Sequence, residues 1–372
     1  VIGGIAAAAV SVLLVATGSA GATTVAGPSS RTVFRFADTR IDEASGIGLG
    51  IASPGVVYVQ NDSGDSARFF ALDATSGATL AVYTVPGARN VDWEDLAVAP
   101  DARGVPSVWL ADIGDNDATR SEVRIYRVDE PLVDRHRLGL QLTTASPSVW
   151  RLRYPDGPMN AEGLAVAPGG ASYVVTKSFL GDSSVYAVPA EPDPARVQAL
   201  RRIAGIQFSL TGTPGGPSVV GELTATGAAL SADGRVLAVR TYTDAYVWPV
   251  SEGDVAAALR GAPVRTPLPA QAVGEGIAIR GSTLLVDSEG VGSTVYSVAM
   301  PPLSARSLSA RSPSAAPTSP VQESGRPDAA GSSTDNSPSS TPTRRPWYVV
   351  GVFLLVIAGI AVIIVRRRRR RR

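Results

Sequence analysis

Between residues 32 and 302 the apolar positions fall in short, turn-punctuated runs rather than helical stripes. VVYVQND (Val56–Asp62), FFALD (Phe69–Asp73), VWLAD (Val108–Asp112), VRIYRV (Val123–Val128), SYVVTK (Ser172–Lys177), VLAVRTY (Val236–Tyr242) and TLLVDSE (Thr283–Glu289) are rich in β-branched and aromatic residues. Most run into Gly, Asn or Asp. This pattern predicts strands. One helical window stands out, Gly253–Leu259.

The runs repeat as a unit. Its first piece reads EASGIGLG from Glu43, EDLAVAP from Glu94, EGLAVAP from Glu162, TGAALSADG from Thr226 and EGIAIRG from Glu275. An apolar strand, a polar acidic hairpin and an aromatic-bearing strand follow each. A fourth strand closes most units, as in TLAVYTV from Thr79, SVWRLRY from Ser148 and RRIAGIQF from Arg201. Four strands per unit, with lead residues 51, 68, 64 and 49 apart, predict an all-β fold, a β-propeller with loop insertions. Five units are visible, and the fifth stops at Met300 after three strands. Thr32–Phe36 (TVFRF) precedes the first unit and would supply the missing outer strand, closing the ring and removing two sheet edges. Five blades are favoured. Six is the alternative, with a degenerate blade inside Asp129–Tyr154 or Gly205–Gly221.

The flanks predict topology. Val1–Ala22 carries no charge and ends in Ala20-Gly21-Ala22, as a secretory signal peptide (1–22) does. Residues 303–346 are dominated by Ser, Pro, Ala, Thr and Gly, too poor in large apolar residues to fold, and read as a disordered stalk. Trp347–Val365 is nineteen residues without a charge, spanning ~28 Å as a helix and so matching a bilayer. Arg366–Arg372 follows as a basic cytoplasmic tail that would meet anionic lipid. The expectation is a single-pass cell-membrane protein with residues 32–302 as an outside ectodomain.

Composition narrows the chemistry. The chain has 372 residues, no Cys and one His (His136). Disulfides, thiol catalysis and zinc ribbons are excluded, and a Ser-His-Asp triad is disfavoured. No GxSxG elbow is present. The formal charge of +1 hides a split. The terminal arginines contribute +7 and the stalk +2, whereas residues 23–303 hold 22 basic against 30 acidic side chains, a net charge of −8. An acidic outer domain argues against nucleic acid as its partner.

In a four-stranded antiparallel blade, the start of the first strand and the hairpin after the second share one end. Glu43, Glu94, Glu162 and Glu275 lead the repeats. Asp62, Asp112, Asp287 and Glu289 belong to the hairpins. Both sets are therefore expected to converge on one face around the axis. Crowded carboxylates repel until protons or a cation neutralise them, and an oxygen-only donor set favours Ca²⁺. Turn chemistry alone accounts equally for Asp and Asn in NDSGDS and DIGDND, and the leading Glu residues would also cap backbone N–H groups. Lys177, Arg240 and Tyr242 fall on the same face by register, either to neutralise the carboxylates or to hold an anionic ligand group. Trp93, Trp109 and Trp248 are expected to pack between blades.

EASG, NDSGD, DWEDLAV, DIGDN, AEGLAV and the late EG motif resemble the secreted β-propellers grouped with SdiA-regulated and phytase-like (esterase-like) proteins, over roughly Ile41–Val298. The resemblance implies a propeller whose acidic central face holds calcium at Glu43, Asp62, Glu94, Asp112, Glu162 and Glu275; by its place in the hairpins Glu289 joins them as a candidate. For phytase-like members it implies phosphoester hydrolysis with calcium bridging the phosphates. This chain departs from that pattern at Thr226, which replaces a Glu, and in offering only Lys177 and Arg240 as basic residues. Two functions follow. The leading one is a membrane-anchored propeller binding an extracellular ligand or protein on its acidic, calcium-holding face. The alternative is a metal-dependent phosphoester hydrolase, with Glu94 or Glu162 as general base, Lys177 and Arg240 on phosphate oxygens, and Tyr242 as donor or stacking surface.

Overall fold

Five antiparallel sheets stand around one axis in a computed structural model that describes residues 29–303. The signal segment 1–22, the stalk beyond residue 303, the span 347–365 and the tail 366–372 lie outside the described residues. Among the described residues no helix is long and apolar enough to cross a membrane.

The innermost strands are Ala44–Leu49, Trp93–Pro100, Ala161–Val166, Ala225–Leu230 and Ile277–Arg280. Each opens one blade, so the fold is a five-bladed β-propeller. The ring closes as expected: Ser30–Arg35 pairs antiparallel with Thr294–Ala299 as the outer strand of blade five. No sixth blade hides in the long insertions. Leu140–Thr143 adds a fifth, parallel strand to blade one alongside Thr79–Thr84. The stretch from Phe208 to Thr224 forms a loop containing a short 3₁₀ turn, Val219–Leu223. The helix is Val255–Arg260, N-capped by the Asp254 side chain. Blade four closes with Val264–Pro267, a strand too short and Pro-bounded to read from pattern.

The core is divided into interblade layers. Trp93 packs with Tyr126, Tyr58 and Phe69 between blades one and two. Trp109 packs at a tilt against Trp150 between blades two and three, with ring centroids 5.2 Å apart. Trp248 packs with Phe208 and Tyr246 between blades three and four. All three tryptophans are buried, and each buried aromatic of this kind stabilises by roughly 1.5–3 kcal/mol. On the face away from the candidate site, Ile51, Ala52 and Ser53 donate their N–H groups to Glu130, and so does the Tyr58 hydroxyl. That carboxylate ties blade one to the exit of blade two.

The pairing fixes a register around the axis. Four inner strands carry a bulge near their start. The bulged residues are Ser45, Glu94, Glu162 and Thr226, and Glu275 holds the matching place in blade five. The next row is Gly46, Asp95, Gly163, Gly227 and Gly276. Glycine is needed there because the strands converge: a β-carbon on Gly46 would overlap the Leu96 backbone N. Asp95 fills the channel in their place. Its carboxylate is fully buried and accepts Leu96 N (2.8 Å), Leu164 N (2.7 Å) and Ala228 N (3.1 Å), which joins blades two, three and four.

Candidate functional site

The second strands aim their side chains by the same register. Opposite the glycine row stand Gln60, Ala111, Val175, Arg240 and Asp287. Side chains alternate along a strand, so two residues on, Asp62, Ile113, Lys177, Tyr242 and Glu289 point the same way. The bulged row and this row form the wall of a well on one face. Asn61 and Asp112 fall between them and point elsewhere.

The deepest convergence lies between blades one and two. Carboxylate oxygens of Asp62, Asp92 and Glu94 lie within 4.8 Å of one another. Asp62 and Glu94 are 3% exposed. Asn90 fixes their relation, donating to the Asp62 carbonyl (2.8 Å) and accepting from Trp93 N (3.1 Å). Burial, reinforced by the charges of Asp62 and Glu162, pushes the Asp92 carboxyl up to about 7. Burial and the charges of Asp62, Glu162 and Asp92 hold Glu94 well above the usual carboxylate range. Three acids thus share a hollow that cannot carry three negative charges unaided.

Gly114 of the DIGDN loop lets the backbone come directly against two of these carboxylates. A β-carbon there would collide with Glu94 Oε1 and lie 2.6 Å from Asp92 Oδ2. The donor set is all oxygen, on two blades, with a backbone packed so close that it tolerates no added methyl. These features fit a hard divalent cation such as calcium.

Beside the hollow, Lys177 Nζ pairs with Glu162 Oε1 at 2.8 Å and stands 5.5 Å from the centre of the Tyr242 ring. Burial opposes the ammonium, yet Glu162, Tyr242, Glu275 and Glu94 together raise it well above the ordinary lysine value. Asn160 couples the two halves of the well: it accepts from Asp115 N (2.7 Å) and donates to Glu162 Oε1 (3.2 Å). Glu275 is 3% exposed, and its Oε2 has no hydrogen-bond partner. Burial drives its carboxyl up, Lys177 opposes this, and Glu289 and Glu162 add to it.

The structure brings Asp62, Glu94, Glu162, Lys177, Tyr242, Glu275 and Glu289 to this well. Three expectations shift. Glu43 does not share a row with Glu94; Ser45 does, giving its hydroxyl to the Glu94 carbonyl at 2.5 Å. Glu43 instead matches Asp92, two residues before the bulge. Asp112 turns away, pairing with Arg120 (3.0 Å) and accepting from Asp92 N (3.0 Å). Arg240 is 0% exposed and spends its guanidinium on Gly276 O, Asp287 O, Thr241 O and Gln271. It clamps blade four to blade five and presents nothing to a ligand. Asp92 was missed. Its signal is DWED, which places one carboxylate two residues before the leading Glu.

No protein-family model and no curated protein matches the chain. Solved structures resemble it at low identity. The PQQ-bound aldose sugar dehydrogenase from Streptomyces coelicolor is 13% identical over 74% of this chain and 98% of its own, with a TM-score of 0.40. A glucose dehydrogenase is 10% identical over 74% and 100%, with a TM-score of 0.40. The β-propeller domain of Cps50 (Swd1) from Myceliophteria thermophila is 12% identical over 68% and 83%, with a TM-score of 0.33. The propeller assignment rests on the chain's own strand pairing.

Proposed function

We propose that this chain is a membrane-tethered, extracytoplasmic β-propeller that holds calcium in the Asp62–Asp92–Glu94 hollow and binds a ligand or partner protein on that face. The observation that carries the reading is the meeting of three buried or half-buried carboxylates from two blades within 4.8 Å of one another, with the Gly114 backbone packed against two of them. A calcium ion there supplies a fixed double positive charge that neutralises the carboxylates and attracts ligand oxygens. Asn90 and Asn160 position the walls, and the Lys177–Glu162 pair keeps the far side of the well neutral. The tether rests on residues 347–372, an uncharged span followed by seven arginines.

Binding is favoured over phosphoester hydrolysis by the state of the two basic residues. Arg240 is sealed under backbone carbonyls, and Lys177 is committed to Glu162. Neither is available to hold phosphate oxygens. Calorimetric titration with Ca²⁺ tests the proposal. Wild type should bind, and Asp92→Asn and Glu94→Gln should each weaken binding at least about tenfold, a loss near 1.4 kcal/mol. Unchanged binding in both variants overturns it. An aryl phosphate assay run with calcium and then with chelator should show no chelator-sensitive turnover.

A further inference from the structure

The blades set equivalent residues in equivalent places, and the main chain fixes the match between blades three and five. Lys177 N donates to Asn160 O (3.0 Å), and Glu289 N donates to Val273 O (2.9 Å). Asn160 and Val273 each stand two residues before the leading glutamate of their blade. In blade three that glutamate, Glu162, meets the Lys177 ammonium at 2.8 Å. In blade five Glu275 therefore faces Glu289. A carboxylate takes the place that blade three gives to a cation. The matching pairs in the other blades are Ser45 with Asp62, Glu94 with Ile113 and Thr226 with Tyr242. None of those sets two acids together.

Glu275 shows what blade five lacks. It is 3% exposed, and its Oε2 has no hydrogen-bond partner. The charge of Glu289 adds to the cost of its burial. Lys177 and Arg240 offset part of that cost, but the Lys177 ammonium is in contact with Glu162, and Arg240 is held by backbone carbonyls and Gln271. A buried carboxylate calls for a charged hydrogen-bond donor against it. The pair opens toward solvent on the Glu289 side: Glu289 is half-buried and Gly290 beyond it is exposed.

A metal ion is the poorer fit for this place. Among the described residues, only Asp62, Asp92 and Glu94 bring three carboxylates within 4.8 Å of one another, and calcium takes about six to eight oxygens. An ammonium needs fewer acceptors, one for each N–H around a single nitrogen. The well already holds one in this way, since Lys177 stands against Glu162 with its Nζ 5.5 Å from the centre of the Tyr242 ring. Tyr242 also feels the charge of Glu275, so the ring borders both pairs.

We infer, on the reading of this face as the binding surface, that the Glu275–Glu289 pair receives a primary ammonium group of the ligand. That ammonium would stand in blade five as the Lys177 ammonium stands in blade three. It comes either from a free aliphatic amine or from a lysine side chain. The site is separate from the hollow and does not depend on calcium.

The test is calorimetric titration of the full chain in detergent with diaminopentane and with Nα-acetyl-lysine methylamide, in calcium and in chelator. At least one of the two should bind. The tighter of them tells a free amine from a lysine side chain. Tetramethylammonium, which has the charge but no N–H, and pentanol, which has neither charge nor N–H, should not bind. Glu275→Gln and Glu289→Gln should each weaken amine binding at least tenfold. Asp117→Asn, an exposed acid of the same face, should change it less than twofold. Melting curves of the same samples show that each variant is folded. The inference is overturned if neither amine binds, if both glutamine variants bind like wild type, if tetramethylammonium binds as well as the amines, or if calcium displaces the amine. Calcium uptake without amine binding sinks this assignment alone. Amine binding in a protein that takes up no calcium sinks the calcium reading and leaves this one standing.

Discussion

Asp95 is the residue on which the closure of the ring can be tested most sharply. In Asp95→Ala the N–H groups of Leu164 and Ala228, on two other blades, lose their acceptor in a channel without solvent access. An orphaned buried donor costs about 1–3 kcal/mol, so the loss is about 2–6 kcal/mol. Two effects oppose each other in the native protein. Burial raises the Asp95 carboxyl well above its usual range, while the N–H bonds from Leu164, Ala228 and Leu96 pull it back down. The burial penalty outweighs the N–H bonds, so Asp95→Asn, which drops the charge and keeps one acceptor oxygen, should lose far less than Ala and lie at or above wild type. Urea unfolding followed by tryptophan fluorescence reads it, and melting should fall by about 2–4 °C per kcal/mol for a domain of this size. An Asp95→Ala protein within about 0.5 kcal/mol of wild type, the range of an ordinary surface change, would refute the reasoning.

Three further outcomes follow from the same geometry. Gly114→Ala should keep the far-ultraviolet circular dichroism of wild type while calcium affinity falls at least tenfold by calorimetry, because the new methyl would push the Glu94 and Asp92 carboxylates out of their places. Lys177→Met leaves Glu162 buried without its ion-pair partner and should cost about 3–5 kcal/mol; adding Glu162→Gln to it should recover much of that loss, and no recovery would show the pair is not coupled. Without metal, Asp92 titrates near 7 and Asp287 near 6, both above the ordinary 3.8. The folded state therefore keeps protons that the unfolded chain has released, and the stability they contribute is present at low pH and lost as pH rises through 6 to 7. In chelator the protein should melt lower at about pH 8 than at about pH 5.5, and calcium should flatten that slope; a rise in melting temperature over this interval would contradict it.

Much of this arrangement is legible in the chain. The repeat, the count of five and the closing strand follow from period-two runs bounded by Gly and Asp, and from the incomplete fifth unit. The acidic face follows because hairpin and inner-strand start share an end in any antiparallel blade. Register is harder. Matching Glu43 to Glu94 by charge ignores the Gly-Ile and Gly-Leu steps that mark the bulge, and the bulge inserts the residue that shifts the count. Lys177 likewise belongs to the row of Asp62 and Ile113, one residue past that of Asn61 and Asp112, and a one-residue slip turns a side chain to the other side of the sheet. Asp95 leaves a trace only as the single non-glycine in a row of four glycines. The burial of Arg240 has no signature at all in a linear chain, since the Gly276 and Asp287 carbonyls that hold it are brought from another blade.

What sits between Asp62, Asp92 and Glu94 decides between a calcium-holding face and a purely protonated one. Crystals of the protein grown with calcium test it directly by anomalous diffraction. An anomalous peak is expected beside Gly114, about 2.3–2.6 Å from oxygens of all three carboxylates. A calcium-saturated crystal with no peak there, or with its calcium on other residues, would contradict it.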